Sequence, residues 1–126
     1  MRVGLLEDDV AIQEMLLLVL QDEDYMVVNF ASAEECLSAL EAASQEPEQV
    51  LVDLMIIDLR LAGSISGVEV IRRLRHNLRF DTLPIILTTA ATMLDLEELQ
   101  DLHVALLEKP FAVDDMISLI HELTQL

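Results

Sequence analysis

Hydrophobic residues along this chain follow two alternating patterns. Short continuous apolar runs are typical of strands, whereas the segments between them carry apolar residues at every third or fourth position, as helices do. The predicted strands are Val3–Leu6, Tyr25–Phe30, Val50–Ile57, Ile85–Thr88 and Val104–Leu107. The predicted helices lie around Ile12–Leu20, from Ser32 to Leu40, around Val68–Leu74, over Met93–Asp101 and from Val113 to the end of the chain.

This alternation predicts the fold class. Strand and helix follow one another five times with no internal repeat and no linker, so we expect a single α/β domain over residues 1–126, without an output domain. Strands that are apolar without alternation are typical of a parallel sheet covered on both faces. With right-handed crossovers, the pattern predicts a flavodoxin-like three-layer α/β/α sandwich with five helices and a five-stranded parallel sheet in the order 2-1-3-4-5.

The third predicted strand ends in a carboxylate. Leu54 to Ile57 are all apolar, and Asp58 follows them directly. A lone aspartate after a strand usually begins a loop. In an open parallel sheet, however, reactive groups collect at the carboxyl ends of the strands, so Asp58 is a candidate reactive group.

Three other strands also end in polar side chains. Glu7 and Asp8 follow the first strand, Thr89 the fourth and Lys109 the fifth. The predicted strand order brings them to one edge of the sheet, where the carboxylates would repel one another strongly. A Mg²⁺ ion with oxygen ligands would relieve this repulsion. Asp58 could then attack a phosphoryl group, with Lys109 and Thr89 stabilising the phosphoryl oxygens.

Composition narrows the classes of function. Seven basic against 24 acidic residues give a net charge of −17, which argues against nucleic-acid binding and favours cationic partners and divalent metal. With no Trp and one Tyr, few side chains could stack on flavin or single-stranded bases. The single cysteine, Cys36, fits a reducing compartment. No apolar run is long enough to cross a membrane and no signal peptide precedes Val3, so we expect a cytoplasmic protein.

Several segments together resemble the receiver domain of two-component response regulators. They are Glu7-Asp8, Ile57-Asp58-Leu59-Arg60-Leu61, Gly67-Val68-Glu69, Leu83-Pro84 through Thr89-Ala90, and Lys109-Pro110-Phe111. Each motif is weak alone, but together they follow the family's order along the whole chain. The resemblance implies a stand-alone phosphorelay protein that signals to a downstream target in trans and catalyses at most its own phosphorylation and dephosphorylation.

The resemblance also implies roles for the acidic residues. Asp58 would accept a phosphoryl group from a histidine kinase or a histidine phosphotransfer protein. Asp8, Asp58 and the backbone carbonyl of Arg60 would bind Mg²⁺ directly, and Glu7 would hold it through water.

Two further site residues are implied by the resemblance, and one position departs from it. Thr89 matches the family's switch hydroxyl and Lys109 its phosphate-binding lysine, and the Lys109–Pro110 bond is expected to be cis. Leu106 stands where the family usually has a Tyr or Phe that moves with the switch hydroxyl. This departure leaves open a second hypothesis, a phosphorylation-independent pseudo-receiver that acts as a protein-interaction module.

Two other classes fit the residues less well. A phosphatase with an aspartyl nucleophile needs a second Asp two residues after it, and this chain has Arg60 there. A flavin-binding electron carrier of this fold would need a Ser/Thr-rich phosphate loop after the first strand, and this chain has the acidic run Glu7-Asp8-Asp9.

The remaining polar and apolar groups have structural interpretations. Asp9 is predicted to cap the first helix rather than bind metal. A solvated helix face is predicted to carry Arg72, Arg73, Arg75 and Arg79. We expect weak homodimerisation through the fourth predicted helix, because one buried stripe does not need all of Leu94, Leu96, Leu99 and Leu102.

Overall fold

The computed structural model describes residues 1–46, 51–61, 63, 65–90, 99 and 101–125. In these parts of the chain, strands and helices alternate along most of the sequence. The elements are β1 (Arg2–Leu6), α1 (Val10–Asp22), β2 (Met26–Asn29), α2 (Ala33–Ser44), β3 (Leu54–Asp58), α3 (Gly67–Arg75), β4 (Ile85–Thr89), β5 (Ala105–Glu108) and α4 (Val113–Thr124).

All five strands form one parallel sheet in the order β2-β1-β3-β4-β5. The predicted strand order and flavodoxin-like fold class are therefore confirmed. The predicted helix over Met93–Asp101 lies almost entirely outside the described residues, so the described part of the chain contains four helices rather than five.

The third strand is shorter than the apolar run that predicted it. It begins at Leu54, which pairs with Val3 of β1, whereas the prediction began it at Val50. Just before it, Asp53 holds the start of β1: its amide donates to the carbonyl of Arg2 at 2.8 Å, and its Oδ2 accepts from the Arg2 amide at 2.7 Å. At the other end the strand includes Asp58, so this carboxylate is fixed by sheet pairing.

The sheet is the middle of three layers, and each face has its own apolar core. Strands β3 and β4 are buried over their whole length, as unbroken apolar runs predict for central parallel strands. Helices α2 and α3 cover one face through Cys36, Leu40 and Ile71. Helices α1 and α4 cover the other face, where Leu16 and Met116 are buried.

Two helices begin with the side-chain caps that their sequences predict. Asp9 Oδ1 accepts hydrogen bonds from the amides of Ala11 and Ile12, which confirms Asp9 as the cap of α1. Ser32 Oγ accepts from the amide of Glu35, and the Glu35 carboxylate accepts in return from the amide of Ala31.

Arg75 corrects the predicted solvated face of α3. Its guanidinium donates to three backbone carbonyls, those of Phe80 at 2.7 Å, Leu102 at 2.8 Å and His103 at 3.0 Å. His103 has a positive φ of 55°, which turns its carbonyl within reach. Arg75 therefore fastens the end of α3 to the turn that leads into β5, a role that only the planar fork of a guanidinium can fill at all three oxygens.

The predicted self-association surface also needs correction. Leu99 and Leu102 are only 5% and 6% exposed and belong to the core beneath α2 and α3. Leu94 and Leu96 lie outside the described residues. The part of this leucine set that the structure describes is thus a component of the core rather than a free surface.

One finding bears on membranes. In the described part of the chain, no helix is both long enough and apolar enough to cross a bilayer.

We expect Arg75→Lys to lower the free energy of unfolding by about 1–3 kcal/mol, because a lysine keeps the charge but cannot reach three carbonyls and leaves at least one without a donor. Chemical denaturation measures this change. Arg73→Lys is the matched control, since Arg73 is 54% exposed and an exposed ion pair contributes about 0–1 kcal/mol. Equal effects of the two substitutions would contradict the role assigned to Arg75.

Candidate functional site

The carboxyl ends of four neighbouring strands meet at one edge of the sheet. Leu6 pairs with Ile57, Asp58 with Thr88, and Thr89 with Glu108. The residues that directly follow β1 and β5 therefore emerge beside the last residues of β3 and β4. This register brings Glu7, Asp58, Thr89 and Lys109 to the same edge.

The ammonium of Lys109 lies between two buried carboxylates. Its Nζ is 2.7 Å from Glu7 Oε1 and 3.4 Å from Asp58 Oδ2. The side chains are 2% exposed for Glu7, 8% for Asp58 and 15% for Lys109. Charges so far from water interact strongly, so Lys109 contributes directly to holding both acids in this position.

Local backbone contacts fix the second oxygen of Asp58. Its Oδ1 accepts a hydrogen bond of 3.2 Å from the amide of Arg60, while the amide of Leu59 donates to the Thr88 carbonyl at 2.9 Å. One carboxylate oxygen therefore faces a backbone amide and the other faces an ammonium. The side chain is held in a defined orientation at the end of β3.

Gly67 is a positioning residue to which the sequence analysis assigned no role. Its amide donates to the Leu59 carbonyl at 3.1 Å, and a Cβ at this position would overlap the backbone carbonyl of Asp58 and the Cα of Leu59. Only glycine lets the first turn of α3 approach so closely. The signal available in the sequence was a glycine directly after Ser66, whose Oγ caps α3 by accepting from the Glu69 amide.

The backbone also positions Lys109. Its amide donates to the carbonyl of Thr89 at 2.7 Å, and the following bond to Pro110 is cis, as expected. Thr89 itself is only 3% exposed. The backbone of Thr89 and the start of the Lys109 side chain are therefore adjacent.

The two other predicted site residues lie at the exposed rim. Asp8 follows Glu7 and is exposed, and Arg60 is exposed while its amide contacts Asp58. Gln13 is a second contributor that sequence reasoning missed. Its Nε2 donates to the carbonyl of Glu7 at 3.3 Å and to Asn29 Oδ1 at 3.1 Å, which ties the end of β1 to α1 and β2.

The electrostatics of the site are set by burial. Burial and the adjacent Asp58 carboxyl raise the pKa of Glu7 from 4.5 to about 7, although Lys109 acts in the opposite direction. Burial alone would lower the pKa of Lys109, but its hydrogen bond to Glu7 and the charges of both acids outweigh burial and raise it. Lys109 is thus a cation at neutral pH, and the site still carries more carboxylate than one cation can balance.

The donor set of this site fits a hard divalent cation. In the described part of the chain, no three His, Cys, Asp or Glu side chains are gathered into a cluster that could hold a metal by themselves. However, Glu7 Oε2 is buried with no hydrogen-bond partner among the described residues, beside a second carboxylate. Mg²⁺ typically takes one or two carboxylates and completes its shell with water and phosphate oxygens, so these residues suit it.

Comparison with known proteins identifies the family. The family model for the response regulator receiver domain matches residues 3–121. The chain belongs to the response regulator receiver domain family. It is therefore a receiver domain of two-component signal transduction, and the members of this family are signalling modules.

Individual relatives agree with this assignment. The transcriptional regulatory protein AfsQ1 of Streptomyces coelicolor is 44% identical over 86 residues, 68% of this chain and 33% of that protein. The chain spans about a third of the length of the curated relatives it matches. A response regulator receiver protein from Pseudomonas putida has a TM-score of 0.80 at 28% identity, over 96% of this chain and 95% of that one.

One further solved structure has the same fold. It is the receiver domain of the sensor histidine kinase PA1611 from Pseudomonas aeruginosa, described with a magnesium ion coordinated in its active site cleft. It has a TM-score of 0.77 at 24% identity and covers 96% of this chain and 94% of that one.

The raised pKa of Glu7 predicts that the free energy of unfolding depends on pH when a chelator keeps the protein free of metal. Because the folded protein keeps this proton up to about pH 7 and the unfolded chain releases it near pH 4.5, folding stability contributed by Glu7 is lost as pH rises from 4.5 to 7. The free energy of unfolding of Glu7→Gln should therefore rise relative to that of the parent protein over this range. Parallel stability–pH curves for the two proteins would contradict the prediction.

We expect Gly67→Ala to displace α3 from Asp58, because the new Cβ would overlap backbone that cannot rotate away. The amide resonances of Asp58 and Leu59 should shift, and the Gly67–Leu59 hydrogen bond should exchange its hydrogen faster. Gly63→Ala is the control: its φ of 101° makes alanine strained there, but a Cβ at this position meets nothing within 4 Å, so no neighbouring backbone is displaced. If both substitutions leave the Asp58 resonances unchanged, Gly67 does not position this residue.

Proposed function

We propose that Asp58 is a phosphoacceptor in a two-component phosphorelay, with a histidine kinase or a histidine phosphotransfer protein as donor. The observation that carries the proposal is the Lys109 ammonium, 3.4 Å from Asp58 Oδ2 in a buried acidic site at the carboxyl edge of the sheet. A buried aspartate beside a lysine and a second acid is suited to nucleophilic attack on a phosphoryl group.

In the proposed reaction, a carboxylate oxygen of Asp58 forms a bond to phosphorus while the phosphorus–nitrogen bond of the donor phosphohistidine breaks. The electron pair of that bond stays on the imidazole nitrogen, and the product is an aspartyl phosphate. Oδ2 is the attacking oxygen that we favour, because Oδ1 is engaged by the amide of Arg60. This leaves the phosphoryl group on the side where Lys109 stands.

Lys109 and Thr89 have complementary roles in this proposal. The ammonium neutralises charge on the transferred phosphoryl group, and its present contact with Glu7 keeps it near the reacting oxygen. The hydroxyl of Thr89 donates to a phosphoryl oxygen and so senses whether the group is present. Its buried position at the end of β4, next to the Lys109 amide, supports this role.

Glu7, Asp8, Asp58 and the backbone carbonyl of Arg60 would hold Mg²⁺ in this site. The ion would supply positive charge to the phosphoryl oxygens, which Lys109 alone cannot balance against two acids. The unpartnered Oε2 of Glu7 and the magnesium-bound receiver domain from Pseudomonas aeruginosa both support this assignment.

The output of the signal passes, in this proposal, through a downstream target protein that reads the altered surface. The net charge of −17 makes direct contact of this domain with nucleic acid unfavourable. The relative AfsQ1 is a transcriptional regulatory protein, which supports gene regulation as one final outcome of the relay. In that case protein contacts, rather than this domain's own surface charge, would transmit the signal.

Incubation with acetyl phosphate and Mg²⁺ tests the proposal. We expect the intact mass to increase by one phosphoryl group, and Asp58→Asn to abolish the increase because an amide is not a nucleophile for this transfer. Asp114→Asn, an exposed acid at the start of α4, is the matched control and should be phosphorylated normally. No increase in the parent protein would count against the proposal and favour the pseudo-receiver hypothesis. An increase that persists in Asp58→Asn would also contradict the proposal, because it would put the phosphoryl group on another residue.

A further inference from the structure

A groove runs between the C-terminal halves of α2 and α3, on the face of the molecule formed by these helices. Its volume is about 590 Å³, and Leu37, Leu74 and Phe80 line it with apolar surface. Glu41 stands on the α2 side and Arg73 on the α3 side. The groove therefore has an apolar floor between two walls of opposite charge.

An exposed leucine lies at the edge of this groove. Leu78, in the turn after α3, lines the groove and is 88% exposed. A large apolar side chain with so little cover tends to mark a contact surface when it adjoins further apolar surface. Here the groove supplies that adjoining surface.

The charge distribution favours a second copy of the chain as the occupant. The net charge of −17 means that two copies repel one another over most of their surfaces. Four of the seven basic residues, Arg72, Arg73, Arg75 and Arg79, lie in α3 or in the turn that follows it. Arg72 and Arg73 are 41% and 54% exposed there, so the α3 side of this face offers positive charge to the acids of a second copy.

We propose that two copies of this chain associate through the α2–α3 groove, around a two-fold axis that runs along it. Such an axis sets the α2 wall of each copy over the α3 wall of the other, because a two-fold contact presents the same patch on both sides. Glu41 of each copy then faces Arg73 of the other, which forms two ion pairs. Leu78 of each copy covers the apolar floor of the opposite groove.

Arg73 can take part without losing its present contact. Its Nε donates to Glu69 Oε1 at 3.2 Å, and the side chain is still half exposed. A guanidinium has five N–H donors, so it can serve Glu69 on its own helix and a carboxylate across the interface.

The exposed apolar residues of α1 do not offer an equivalent surface. Leu18 is 69% exposed, but no residue of α1 is basic, and Glu14 and Asp22 are exposed on the same helix. A two-fold contact through α1 would bring acids against acids. A two-fold contact through the groove would instead set Glu41 against Arg73.

The groove is separate from the proposed phosphoacceptor site. Helix α3 contacts the Asp58 backbone at its first residue, Gly67, whereas the groove lies at its other end. The inference thus goes beyond the proposed function, and association should be the same for Asp58→Asn as for the parent protein. If dimerisation fails the test, the phosphorylation proposal still stands. If phosphorylation fails its test, the dimerisation proposal still stands.

Sedimentation over a range of protein concentrations tests the inference. The parent chain is compared with two variants in which the charge of Glu41 or of Arg73 is reversed. The parent chain should show a concentration-dependent monomer–dimer equilibrium. Glu41→Arg and Arg73→Glu should each weaken dimerisation by about tenfold or more, because each places like charges opposite one another twice. An equimolar mixture of the two variants should restore dimerisation, since in the mixed dimer both pairs are again of opposite charge.

Two leucine variants complete the design. Leu78→Gln should weaken the dimer, and Leu18→Gln, at an exposed leucine of α1, should leave it unchanged. Thermal melting establishes that each variant is folded. A parent chain that stays monomeric at all concentrations would overturn the inference. So would a dimer that survives both charge variants, a mixture that fails to restore it, or a dimer lost in Leu18→Gln but kept in Leu78→Gln.

Discussion

The site depends on one ammonium ion held between two carboxylates that are nearly excluded from water. Lys109 contacts Glu7 at 2.7 Å and Asp58 at 3.4 Å, and these three side chains come from the ends of three different strands. One cation cannot balance two buried acids, and burial together with the adjacent Asp58 carboxyl raises the pKa of Glu7. The sheet must hold the strand ends in register against that repulsion. The fold and the chemistry of the site therefore depend on the same arrangement of strand ends.

That constraint explains why so much of the site could be predicted from the sequence. In a parallel sheet the carboxyl ends of the strands lie on one edge, so polar residues that terminate apolar runs must meet there. Glu7 and Asp58 directly follow such runs, Lys109 comes one residue after the end of a third, and the three side chains do come together. The pattern could not predict which carboxylate lies nearer to Lys109. Lys109 is nearer to Glu7 than to Asp58, and side-chain conformation within the buried cluster decides this difference.

The features that sequence reasoning missed depend on backbone atoms distant in sequence. Helical spacing placed Arg75 on the solvated face of α3, and the carbonyls that draw it inward belong to residues up to 28 positions away. Gly67 is required by contact with the Asp58 backbone, and its place directly after Ser66 marks the position without showing that contact. Leu99 and Leu102 were assigned to a surface because a single helix cannot show that the core beneath α2 and α3 extends to reach them.

Helix α3 connects these observations, because each of its ends is fixed to a different part of the molecule. At its start, Gly67 lies against the backbone of Asp58, so the helix helps to define the position of the candidate nucleophile. At its end, Arg75 holds the carbonyl of Phe80 and, with it, the turn that carries Leu78. The amide of Arg79 donates to Asn77 Oδ1 within the same turn, which stiffens it further. Because the turn is held in this way, this wall of the α2–α3 groove is ordered before any contact is made. A contact there therefore loses less conformational freedom than one made through a mobile loop.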